Sequence, residues 1–100
     1  MYAVHTENKS IVQTMSDRAL LLIGMAKLQD LAEPGSKDYV RWQNVKRQRA
    51  RITTEEIDAL AKAFPAYRWW LMTGDVMPEK GQTSPEYDEA NRNLTNQNAG

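Results

Sequence analysis

Residues 51–65 read RITTEEIDALAKAFP. Thr53, followed three positions later by Glu56, is a capping box, in which each side chain bonds the other residue's backbone N–H. Ile52 and Ile57 flank the box as a hydrophobic staple. Ile57, Leu60, Ala61 and Phe64 then recur at i, i+3, i+4 and i+7, which gathers them on one face of a helix. Pro65 removes a donor and stops the helix. Start, apolar face and stop are all written locally, so the period of the chain is that of a helix, and its neighbours can be read outward from here.

Immediately upstream stands YVRWQNVKRQRAR, residues 39–51. Ser36 can cap a helix over 37–47, and Asp38 sits in its first turn, where the helix dipole favours an acid. Tyr39, Trp42 and Val45 form an inward stripe. At 100° per residue the opposite face carries Lys37, Val40, Arg41, Asn44, Arg47 and Gln48. Further upstream, EPGS at 33–36 is a turn. A short helix over 26–33, with Leu28, Leu31 and Ala32 inward, is expected before it. A first helix is expected to open at Ser16 with Leu20, Leu21, Ile23 and Met25 on its apolar face, and to end near Gly24. Residues 1–9, MYAVHTENK, show no period and read as an arm.

Downstream, the pattern predicts a helix over 66–73. Tyr67, Trp70 and Leu71 point inward, Trp69 points outward, and Gly74 suits the position after the helix. MPEKGQTS, residues 77–84, reads as a linker. Ser84 and Pro85 then open a short helix, 85–95, with Tyr87, Ala90 and Leu94 on one face. No stretch alternates with a period of two. The chain reads as all-α, with an arm at 1–9, a helical domain at 10–76, and a linker with an acidic C-terminal extension at 77–100.

Composition narrows the function. One hundred residues make one domain. There is no cysteine, hence no disulfide and no thiolate metal site. His5 is the single histidine and lies in the arm, so a catalytic triad or a histidine metal site lacks material. No glycine-rich phosphate loop occurs. The acids Glu55, Glu56, Asp88 and Glu89 stand at helix starts, where dipole complementation accounts for them. No enzyme activity, cofactor or metal is expected. The longest apolar run, ALLLIGMA at 19–26, is too short to span a bilayer, and no basic stretch precedes it as in a signal peptide. A cytoplasmic protein without a membrane partner is expected.

Charge points to the partner. The chain has a formal net charge of zero, yet residues 35–52 hold Lys37, Arg41, Lys46, Arg47, Arg49 and Arg51 against Asp38 alone. A basic island in a neutral chain indicates an anionic partner. Two short helices around a turn, the second basic on its free face, followed by a capped helix, form a helix-turn-helix layout. The alternative from the residues alone is a small helical bundle with one solvated basic face.

The segment RWQNVKR, the capped helix ending IDALAKAFP, and the run YRWWLMTGD together resemble the Cro/C1-type (XRE-like) helix-turn-helix regulators, especially phage and prophage members. The resemblance covers about residues 16–76. In that family a W-L-x-T-G run closes the domain, as Trp70, Leu71, Thr73 and Gly74 would here. Members often have Gly where Gln48 stands. The resemblance implies a five-helix lambda-repressor-like domain that binds double-stranded DNA as a homodimer and regulates transcription, most simply as a repressor. Helix 37–47 would enter the major groove. By their chemistry, Asn44 would pair with adenine and Arg41 with guanine, Val40 would touch a thymine methyl, and Gln43 would stand at the edge of that face. Lys37, Lys46, Arg47, Gln48, Arg49 and Arg51 would bind phosphates. Two rival readings keep the fold. One is a protein-binding adaptor or anti-activator that uses Trp69, Tyr87 and Leu94 in the C-terminal region. The other is an excisionase-like protein that bends DNA.

Overall fold

The computed structural model describes residues 14–99. Among them are five α-helices and no strand: α1 (Met15–Met25), α2 (Lys37–Lys46), α3 (Thr54–Ala63), α4 (Arg68–Thr73) and α5 (Pro85–Ala99). Single 3₁₀ turns cover Leu28–Asp30, Pro65–Tyr67 and Pro78–Lys80. The all-α expectation holds. The arm expected at 1–9 lies outside the described residues.

Capping sets most boundaries. Ser36 accepts the Tyr39 N–H at 3.1 Å and opens α2. The Thr53–Glu56 capping box is present at the start of α3. Ser84 accepts the Tyr87 N–H at 3.0 Å and opens α5, which continues to Ala99 rather than ending near 95. The first helix differs from expectation. Its cap is Thr14, whose hydroxyl accepts the Asp17 N–H at 3.0 Å, not Ser16. Its end is at Met25, next to Gly24 as expected, and Leu22 and Ile23 just before it are fully buried.

The helix expected over 26–33 shrinks to one 3₁₀ turn, Leu28–Asp30. Ala26 and Lys27 are extended, and Lys27 offers no side-chain cap. Pro34 then disfavours helical backbone at Glu33. Between these limits there is room for little more than one turn, held by the Ala32 N–H to Leu28 carbonyl bond of 3.0 Å. α2 still packs on this turn, so the two halves of the layout remain in contact.

α1 packs against α2, α3 and α4. The core they share contains Ala19, Leu22, Ile23, Trp42, Val45, Leu60, Ala61, Trp70 and Leu71. Complete burial of a side chain such as Leu22, Ile23, Leu60 or Leu71 contributes about 1.5–3 kcal/mol. Trp42 and Val45 are buried as their spacing predicts, and Tyr39 is half-buried.

Both ends of the short helix α4 are closed by distant residues. At its start, the Trp69 N–H donates to Gln82 Oε1 at 2.8 Å. At its end, buried Arg18 donates from Nε to the Leu71 carbonyl at 3.1 Å. Each bond satisfies one of the backbone groups that a helix terminus leaves unpaired. Gly74 follows in the left-handed region at φ 87°, where a Cβ would stand 3.3 Å from Arg18 Nη1. Gln82 also donates to the Pro65 carbonyl at 3.0 Å, and the Thr83 N–H donates to the Ala66 carbonyl at 2.9 Å. Residues 77–84, read as a linker, are thus a turn tied to the 65–69 segment.

Candidate nucleic-acid interface

The basic island folds into two parts: the outward face of α2 and the loop that joins α2 to α3. On the helix, buried Trp42 and Val45 fix the orientation. Lys37 and Lys46 are exposed and Val40 is 50% exposed, while Gln43 and Asn44 are half-buried. In the loop, Arg47, Gln48, Arg49 and Arg51 are all exposed. Among the described residues, Lys46, Arg47, Arg49 and Arg51 enter no ion pair. Four of the six residues expected at phosphates, Lys46, Arg47, Arg49 and Arg51, are thus exposed cations at the C-terminal end of α2 and in the loop after it, whereas Lys37 stands at the helix's other end.

The loop leaves the helix through a specific turn. The Gln48 N–H donates to the Val45 carbonyl at 2.9 Å, and the Arg49 N–H to the Asn44 carbonyl at 2.8 Å. These two bonds make a Schellman motif, whose pivot residue must be left-handed. Gln48 is that pivot, with φ 60°. Glycine, which the regulators this segment resembles often carry at this position, would adopt that conformation freely.

Arg41 is the expected base reader that the structure places differently. Its guanidinium grips Glu56 side-on through one edge, Nε to Oε2 at 3.0 Å and Nη2 to Oε1 at 3.1 Å. Nη2 also donates to the Arg51 carbonyl. The same carboxylate accepts the Thr53 N–H and the Thr53 hydroxyl, each at 2.8 Å. The hydrogen bond to Glu56 raises the Arg41 pKa above its ordinary value. Burial alone would raise the Glu56 pKa, but the bonds from Arg41 and Thr53 outweigh it and hold the carboxyl below its usual value. Arg41 is thus engaged across the loop and adds little free charge to the face. The sequence shows Glu56 as a capping residue; it does not show that the carboxylate has capacity for a second partner fifteen positions away.

An open groove of about 480 Å³ lies between the loop and α1, lined by Leu20, Val45 and Ile52 together with Arg49 and Arg51. Among the described residues no group of three acidic, His or Cys side chains could hold a metal ion, and no helix is long and apolar enough to cross a membrane.

Trp69 is 40% exposed and Leu94 55% exposed, whereas Tyr87 is half-buried near the start of α5. The Tyr67 hydroxyl donates to Asp88 Oδ2 at 2.7 Å and holds the start of α5 against the body. This contact and the Gln82 clip were not apparent from the sequence.

No protein-family model matches the chain, and no curated protein does. A solved structure does: Pf6r from the filamentous phage Pf6 of Pseudomonas aeruginosa PA01, with 43% sequence identity and a TM-score of 0.75. The match covers 83% of this chain and 99% of that one. The chain belongs to the Pf6r family. The likeness therefore spans nearly all of the solved Pf6r chain.

Proposed function

We propose that this member of the Pf6r family is a sequence-specific double-stranded-DNA-binding regulator of Cro/C1 type, a phage or prophage repressor that acts as a homodimer in the cytoplasm. One observation carries the reading. A neutral chain presents Lys46, Arg47, Arg49 and Arg51 together, exposed, at the end of a helix that Trp42 and Val45 anchor from the other side. A helix of this kind fits a major groove about 12 Å wide. The phage source of Pf6r supports a phage-related regulator.

In this reading, phosphate contacts from Lys37, Lys46, Arg47, Gln48, Arg49 and Arg51 fix the register of α2 on the duplex. They carry no sequence information of their own. Asn44, Gln43 and Val40 then face base edges: Asn44 pairs with adenine, and Val40 packs on a thymine methyl. The exposed Trp69 and Leu94 favour the rival adaptor reading, in which a protein partner covers them.

Selection from a random-sequence duplex pool, followed by affinity measurement across a salt series, tests the proposal. If the five cations of each protomer neutralise one phosphate each, the dimer gives a log–log salt slope of about −9. Asn44→Ala is expected to cost about 1–3 kcal/mol on the selected site and to relax one base pair. Absence of salt-dependent binding, or of any enriched sequence, overturns it.

A further inference from the structure

A single guanidinium spans the basic loop. Arg41 belongs to α2, its partner Glu56 to the first turn of α3, and its third contact is the Arg51 carbonyl within the loop. Four hydrogen bonds converge on the Glu56 carboxylate, from Arg41 Nε, Arg41 Nη2, Thr53 N and Thr53 Oγ1. Three of them fall on Oε1 and one on Oε2, so Oε1 is fully engaged and ties the Arg41 fork to the Thr53 cap. The Glu56 side chain is 11% exposed and that of Arg41 35%. Arg47, Arg49 and Arg51 all lie between the two ends of this clamp.

A set of cations matches a run of phosphates only when its spacing is fixed before contact, because ordering a loop on binding costs affinity. The turn at Gln48 fixes one end of this loop. The Arg41 fork fixes the other end and the middle. A planar, bidentate Arg–carboxylate pair suits that task, since its geometry is rigid as well as attractive.

We propose that Arg41 is a positioning residue for DNA binding: clamped to Glu56 and to the Arg51 carbonyl, it holds Arg47, Arg49 and Arg51 as one preformed phosphate-binding set and reads no base itself. The proposal rests on the DNA-binding reading above. It makes a prediction opposite in sign to simple electrostatics. Glu56→Gln removes a negative charge beside the basic cluster, and charge alone would then strengthen binding. Loss of the clamp weakens it.

The test uses the full chain and three variants, Glu56→Gln, Arg41→Lys and the double substitution. Arg41→Lys keeps the charge and loses the fork. Affinity is measured by fluorescence anisotropy on the selected duplex and on a scrambled one, across a salt series, below the melting temperature of each variant. The clamp predicts that either single substitution weakens both duplexes alike, by about tenfold, and that the double is no worse than the singles. It also predicts a salt slope reduced by about one to two, as phosphate contacts are lost. Partial unfolding alone would lower the active fraction and leave the slope unchanged, which overturns the proposal. So does unchanged or tighter binding by Glu56→Gln. An Arg41→Lys protein that loses affinity only for the selected duplex, with a changed base preference, makes Arg41 a base reader and also overturns it. If the unaltered chain binds neither duplex, the DNA reading falls and takes the clamp's role with it.

Discussion

At the C-terminal end of α2, the φ of 60° at Gln48 closes a turn that nearly any side chain resists. Left-handed backbone costs a residue with a Cβ roughly 1–2 kcal/mol, whereas glycine adopts it freely. Glycine in turn loses more chain entropy on folding, roughly 0.5–1 kcal/mol. The Gln48→Gly protein is therefore expected to be more stable by about 0.5–1 kcal/mol, measured as a raised urea midpoint at constant m-value. No gain would mean that the Gln48 side chain makes a compensating contact. Caps were legible at this scale because a capping side chain meets a backbone N–H three positions on: Ser36, Thr53 and Ser84 all stand where the sequence predicts. Arg41 was not legible. Helical phase set it opposite Trp42, but its partner lies on another helix, and nothing in the spacing of one helix reveals a pair formed across a loop.

The elements show the same division between local and distant causes. α3 follows its sequence pattern from cap to Phe64, because box, apolar face and Pro65 agree. The segment before α2 does not, because its apolar residues Leu28, Leu31 and Ala32 have helical spacing but no cap, and Pro34 cuts them short. α1 ends at Met25, one residue past Gly24, so its end was legible, whereas its cap lies two residues before the expected Ser16. A Cβ built at Gly24 meets nothing within 4 Å, and the residue is exposed. Glycine there weakens the helix with no steric reason for its presence. Gly24→Ala is expected to add about 0.5–1 kcal/mol of stability. A neutral or negative result in thermal melts would point to a surface at Gly24 that a methyl group obstructs.

For the whole molecule, the decisive feature is how the C-terminal region joins the body. From the sequence, residues 77–100 read as a linker with an acidic C-terminal extension. The structure instead makes residues 82–88 part of the fold: Gln82 caps α4, Thr83 bonds Ala66, and Asp88 bonds Tyr67. Burial, and then the Asp88 contact, push the Tyr67 pKa up from 10.0 to about 12. Because the folded value is raised, this contact's contribution is complete below pH 10 and fades as pH rises from 10 toward about 12. In an absorbance titration, one tyrosine should ionise near pH 12, and that step should be missing from Tyr67→Phe. If no tyrosine ionises there, Tyr67 is not buried against Asp88 in solution.

Truncation separates folding from association. A chain ending at Asp75 loses every bond made by Gln82, Thr83 and Asp88 to the body. At about 0.5–1.5 kcal/mol for each of the four bonds, the expected loss is roughly 2–6 kcal/mol, a large part of the 5–15 kcal/mol typical of a domain. Its melting temperature should fall by more than about 10 °C. A chain ending at Asn91 keeps all of those bonds and removes exposed Leu94 with the rest of α5. It should melt within a few degrees of the full chain, since a helix so poor in apolar contacts adds little stability of its own. Sedimentation of this second chain then addresses self-association without the confounding loss of fold. A folded monomer, beside a dimeric full chain, would place the dimer contact on the last turns of α5. A folded dimer would place it on the body. An Asp75-terminated chain that melts with the full chain would show that the clip at Gln82 contributes nothing to the fold.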